Sequence, residues 1–269
     1  MLSKDRLQLL KKSKRPLKPM VELLPILEDW LTNSDLGGEL IRLEQDVINN
    51  ELTCLFGYHL LQLSISPNLK LYESSTINHK FALSPIELYQ DNVTHISGLA
   101  DFTTLPLPDD SIDVVILHHV LEFSKNPHQI LKEATRVIIP KGHIIIVGFN
   151  RWSAFGFWRL FARGLRNIPQ YRHYSIGTGR LLDWLQLLEF DPINISYGFY
   201  RPPFQSVTLL KQFERMENLG NKLGWPFGGF YCVSARKDVI PLTPIRPAWL
   251  RAKRIVVPLH IAKPVTKAS

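Results

Sequence analysis

The chain has 269 residues, 45% of them hydrophobic and 21% charged, with a mean hydropathy of −0.03. Such a chain buries a core, which excludes a disordered or fibrous protein. No apolar run reaches about 18 residues, so no membrane-spanning helix is expected. The two cysteines, Cys54 and Cys232, are far apart and form no CxxC. A disulfide framework is therefore not expected, and with no apolar leader before a cleavage site the expected compartment is the cytoplasm.

The formal net charge of +8 sits at the ends. Residues 1–20 set seven basic residues against Asp5, and residues 236–269 set eight against Asp238, leaving 21–235 at a net −5. Proteins built around nucleic acid carry a basic stripe on the folded surface. Basic tails touch nucleic acid or anionic lipid weakly, and the plainer reading here is solvated ends. The expected organisation is a basic arm over 1–20, one domain over 21–240 and a basic tail over 241–269 carrying five prolines. A start at Met20 would remove the arm.

Leu40, Ile41, Leu43, Val47 and Ile48 recur at helical spacing after Gly37-Gly38, predicting a helix over 38–52. Residues 58–64 read as a strand, although Phe56, His59, Leu60 and Leu63 also share one helical face. A short helix over 69–76, a strand over His79–Ser84 and another over 94–100 follow. After a turn-rich loop, Ile112 to Leu117 is a β-branched run suited to a strand buried on both faces. Asn126 as cap and Pro127 in the first turn open a helix with Ile130, Leu131, Ala134, Val137 and Ile138 on one stripe. Pro140-Lys141-Gly142 ends it, and residues 143–148 form a second buried strand. Strand, helix, strand is the unit of a parallel α/β sheet, with a right-handed crossover. A helix over 179–189, strands over 192–199 and 229–237, and a helix over 206–223 complete the reading.

Three blocks stand at fixed spacing: Asp101-Phe-Thr-Thr-Leu105-Pro106 running into Ile112-Asp113, then His119-Val-Leu-Glu122, then Ile130-Leu-Lys-Glu133-Ala-Thr-Arg136 up to Pro140-Lys-Gly142. Residues 98–149 so resemble class I S-adenosylmethionine-dependent methyltransferases, of the small bacterial kind grouped around the type 11 domain. Helix 179–189 and Gly228-Gly229-Phe230-Tyr231 extend the likeness more weakly over 38–237. The resemblance implies a Rossmann-like α/β sandwich, mostly parallel, with helices on both faces. It also implies a site beyond the carboxyl ends of the strands. In that family an acidic residue at the place of Asp101 accepts the adenine amino group, and Phe102 would lie against the ring. His118 and His119 would line the methionine side, and Leu63 and Ser64 would flank the cofactor at the end of strand one. The plainer readings are a loop cap for Asp101 and helix-start residues for the histidines.

The departure lies at strand one. The family has an acid and a Gly-x-Gly-x-Gly loop there, whose bare backbone lets the cofactor approach. This chain reads Leu61-Gln62-Leu63-Ser64-Ile65-Ser66-Pro67, with no glycine between Tyr58 and Gly98. Glu73, nine residues after Ser64, is too close for the acid after strand two, since a parallel crossover takes about a dozen residues. Residues 150–172 are aromatic and basic, and segment 150–166 reads as a lid or substrate platform, as an amphipathic contact with a membrane surface, or as a helix packed on the sheet. No serine-hydrolase elbow and no phosphate-binding loop occurs, and the nine histidines show no metal-ligand spacing, so no metal is expected. Two functions follow: a methyltransferase of unknown acceptor, with His118 or His119 as the first candidates for a general base, or a catalytically silent binding or regulatory protein on the same fold.

Overall fold

The computed structural model describes residues 27–31, 33–66, 69–85, 97–153, 156, 176–201, 220 and 224–238, all within the compact unit Met1–Val239. The basic ends and nearly all of the helix expected over 206–223 lie outside them. Seven strands, β1 (His59–Ser64), β2 (His79–Pro85), β3 (Gly98–Ala100), β4 (Ile112–His118), β5 (Ile138–Phe149), β6 (Phe190–Gly198) and β7 (Phe230–Lys237), form one sheet in the order β3-β2-β1-β4-β5-β7-β6. The first five are parallel, and β7 runs antiparallel to both β5 and β6.

Side chains alternate across each strand, so the apolar run of β4 serves two cores. Val114 and Ile116 pack on one face with Leu60, Ile145 and Val147. Val115 and Leu117 pack on the other with Leu61, Leu63, Ile144 and Ile146. Helix α1 (Asp35–Thr53) covers the first face with Leu36, Leu40, Ile41, Ile48 and Leu52. Its N-terminus is capped by Ser34, whose Oγ accepts the Gly37 N–H at 3.0 Å. After the short α2 (Val120–Phe123), helices α3 (Pro127–Val137) and α4 (Thr178–Leu187) place Ile130, Leu131, Ala134, Leu181 and Leu185 on the second face. This is the expected mostly parallel sandwich with helices on both faces.

The segment read as strand over 58–64 is strand β1 from His59 to Ser64, not a helix. The helix expected over 69–76 is instead a turn at 71–74. The buried Gln62 amide holds it there: Nε2 donates to the Leu69 carbonyl at 2.6 Å, and Oε1 accepts the Leu71 N–H at 2.9 Å. Asn126 makes no side-chain cap; its own N–H donates to Ser124 Oγ at 3.0 Å. Pro140-Lys141-Gly142 does not end α3, which stops at Val137 and passes directly into β5. The acidic loop residues have structural partners. Asp113 Oδ2 accepts the N–H groups of Tyr58 and His59, each at 2.9 Å, while Asp109 pairs with Arg136 and Asp110 with Lys237.

Candidate functional site at the carboxyl ends of β1 and β4

The chain leaves β1 toward β2 on one side of the sheet and β4 toward β5 on the other. The carboxyl ends of β1 and β4 therefore form the topological switch point, where open parallel sheets take their ligands. Ser64 and His118 face each other there in register. His119 follows with φ 55, in the left-handed region. Successive strand residues normally point to opposite faces. The reversal at His119 brings both imidazoles to one carboxylate, that of Glu44. This residue sits between Leu40 and Ile48 in the buried stripe of α1, where an apolar side chain is expected.

His118 Nε2 lies 3.1 Å from Glu44 Oε2, and His119 Nε2 lies 3.0 Å from Glu44 Oε1. The other ring nitrogens are held as well: His118 Nδ1 by Ser64 Oγ at 3.1 Å, and His119 Nδ1 by Glu122 Oε2 at 2.9 Å. Glu122 Oε1 in turn accepts the Phe149 N–H, and Ser64 Oγ accepts the Ser66 N–H at 3.1 Å. His119 also stacks on Phe149 with centroids 4.1 Å apart. Glu44, His118 and His119 are all 0% exposed.

Burial alone would neutralise every group here. It raises the Glu44 carboxyl, yet the His119 charge and the hydrogen bonds from both histidines hold it well below the usual carboxylate range. Burial lowers His119, but the two carboxylates outweigh it and raise that imidazole far above its ordinary value. His118 is pushed down by burial and by the neighbouring His119 charge. The consistent proton assignment has His119 donating to both carboxylates. A neutral His118 then donates to Glu44 and accepts the Ser64 hydroxyl.

The expected site residues divide. Ser64, His118 and His119 come together in this network, with no ring nitrogen left open for a general base unless a bond is first broken. Leu63 is fully buried in the second core, and its side chain does not face the site. Phe102 is also buried there with Leu83, Ala100 and Leu105. Asp101 is exposed, and its Oδ1 accepts the N–H and hydroxyl of Thr103 at 2.8 and 2.7 Å, so it closes an Asx turn. Sequence reasoning missed Glu44, whose signal was a carboxylate within an apolar stripe. It also missed Ser66 and Ser84, at the ends of β1 and β2. Among the described residues, both hydroxyls are buried without a hydrogen-bond partner. Most of the expected platform, residues 154–155 and 157–166, lies outside the described residues. At its start Trp152 is exposed, with the Arg151 guanidinium 6.0 Å from the ring centroid.

Residues 52–146 match the model of a methyltransferase domain family. YafS of Escherichia coli K12 is 32% identical over 201 residues, covering 73% of this chain and 75% of YafS. The fold is similar to a SAM-dependent methyltransferase from Thermotoga maritima, at 15% identity and a TM-score of 0.57, covering 79% of this chain and 98% of that one. It is also similar to a methyltransferase from a complex with the Haloferax volcanii Trm112 activator, at 13% identity and a TM-score of 0.54, again covering 79% and 98%. Domain match, relative and sheet order agree with the blocks at residues 101–142. The chain belongs to the class I S-adenosylmethionine-dependent methyltransferases, in the type 11 domain branch, and S-adenosylmethionine is the cofactor of that family.

Proposed function

We propose that the chain transfers the methyl group of S-adenosylmethionine to a nucleophilic acceptor bound at the carboxyl ends of β1, β2 and β4. The observation that carries this reading is the pair of buried, partnerless hydroxyls of Ser66 and Ser84 at that edge. Buried polar groups are nearly always satisfied, so each exception calls for an explanation, such as strain, a catalytic role, a water or a ligand. Both hydroxyls fit the polar groups of the cofactor. When bound, S-adenosylmethionine supplies a sulfonium-activated methyl group for in-line displacement, in which proximity and orientation do most of the work. Ser66 and Ser84 would hold its polar groups, and Asp101, exposed on the loop after β3, would take the adenine amino group. His118 and His119 act as positioning residues through Glu44 and Ser64, fixing the floor of the site. Leu63 and Phe102 support that floor from the core.

Serine stands where the family has glycine at this edge, and Phe102 packs inward. These two observations favour a second reading, a methyltransferase fold kept as a binding or regulatory protein. Calorimetric titration of the full chain with S-adenosylmethionine and S-adenosylhomocysteine separates the two. Micromolar binding, lost in Asp101→Ala, supports transfer and this placement of the adenine. No heat change with a cooperatively folded protein supports the silent reading.

A further inference from the structure

We propose that Glu44, His118 and His119 form a binding site for one divalent transition-metal ion of the zinc class, which ties α1 to the end of β4. The proposal does not depend on methyl transfer.

The first argument is geometric. The three residues each present a donor atom, and these donors all lie within 4.8 Å of one another. Two donors about 2.0–2.1 Å from one tetrahedral zinc ion stand roughly 3.3 Å apart. Each imidazole lies near that distance from its own Glu44 oxygen, His118 Nε2 3.1 Å from Oε2 and His119 Nε2 3.0 Å from Oε1. Two imidazoles and a carboxylate suit zinc better than calcium or magnesium, which prefer oxygen ligands.

The second argument is the surrounding shell. A metal-binding histidine nearly always commits its other ring nitrogen to a carboxylate, hydroxyl or carbonyl, which fixes the ring. Both histidines do so here, His119 through Glu122 and His118 through Ser64. Nε2 of each ring is thereby turned toward the Glu44 carboxylate, His118 to Oε2 and His119 to Oε1.

The third argument is charge. Glu44 and Glu122 are two carboxylates buried to 1% exposure or less. Buried charge is unfavourable unless compensated. One divalent ion beside Glu44 would offset buried negative charge, and the two imidazole rings lie side by side there, with centroids 4.6 Å apart. Three protein ligands leave a further position for water or another group.

The test uses the full chain, purified without a histidine tag, stripped with a chelator and dialysed. Zinc content is measured by elemental analysis after incubation with zinc chloride, and cobalt is titrated with visible absorbance as the readout. The expected result is about one zinc per chain, a higher Tm with zinc than with chelator, and a cobalt band from nitrogen and oxygen ligands. Glu44→Gln keeps the hydrogen-bonding shape and should bind zinc at least tenfold more weakly. Ser64→Ala keeps all three ligands, removes the His118 Nδ1 partner, and should weaken binding less. Cys54→Ser should change neither stoichiometry nor spectrum. Substoichiometric zinc with an unmoved Tm overturns the proposal, as does full zinc affinity in a folded Glu44→Gln. If Glu44→Gln fails to fold, the wild-type stoichiometry and cobalt band decide alone. S-adenosylhomocysteine titration of the zinc-loaded chain bears on the methyltransferase reading only, so the two can fail separately.

Discussion

Gln62 carries a donor and an acceptor on one side chain and uses both inside the protein. Its amide satisfies the Leu69 carbonyl and the Leu71 N–H, doing for the short crossover what a neighbouring strand would do. Replacement by leucine keeps the volume but strands both backbone groups. A buried group left unsatisfied costs about 1–3 kcal/mol, so Gln62→Leu, which strands two, should lose about 2–6 kcal/mol, read as a lower urea midpoint with unchanged slope. Gly148 is constrained from another direction. A β-carbon there would lie 2.6 Å from Tyr231 Oη and 3.2 Å from Glu122 Oε1, beside the His119 partner. Overpacking of this kind costs about 1–3 kcal/mol, so Gly148→Ala should lower the Tm. An unchanged Tm would mean that Tyr231 can move aside without disturbing Glu122.

Among the elements, the residues that precede α1 and α3, Ser34 and Asn126, behave differently from each other. Ser34 closes the first turn of α1 with a real bond, so Ser34→Ala should cost about 1 kcal/mol. Asn126 precedes α3 with an attractive cap sequence but makes no such bond, so Asn126→Ala should leave stability nearly unchanged in the same denaturation assay. The loop before β4 is fixed by Arg136, which bonds Glu133 and the carbonyls of Leu105 and Leu107. Hydrogen bonds from Arg136 hold the Glu133 carboxyl below the usual range, against a smaller effect of burial. A carboxyl depressed in the folded state stabilises above its unfolded value, about 4.3, and that stability is lost as pH falls through the folded value. The stability gap between the native chain and Glu133→Gln should therefore narrow as pH drops from about 5 to about 3. Long periodic segments, α1, α3, α4 and β4, were legible because one face or both faces are apolar throughout. The turn at 71–74 was not, because a single side chain, Gln62, overrides the local helical spacing of about two turns. The start of β5 was missed because Lys141 adopts φ 66 inside a strand, which no spacing rule marks.

Across the whole molecule, the site was legible only where its residues are close in sequence. His118 and His119 end a strand that the apolar run made plain, so their place at the switch point followed from topology. Glu44 lies 74 residues earlier than His118, on a helix whose apolar spacing predicts packing alone, and nothing short of the fold brings it to them. The resemblance places Phe102 against an adenine ring, but beyond the Asx turn at Asp101 its side chain packs in the second core. The orphan hydroxyl of Ser84 links this architecture to function and separates two accounts of the β1–β2 edge. As a packing atom, it is a buried polar group without a partner, and its removal should leave stability unchanged or raise it. As a cofactor contact, it should also contribute one hydrogen bond in the complex, worth about 0.5–1.5 kcal/mol, or about two- to tenfold in affinity. Ser84→Ala should then hold or raise the Tm of the free chain while weakening S-adenosylhomocysteine about two- to tenfold. A higher Tm with unchanged affinity would remove Ser84 from the site and leave Ser66 as the hydroxyl to test next at that edge.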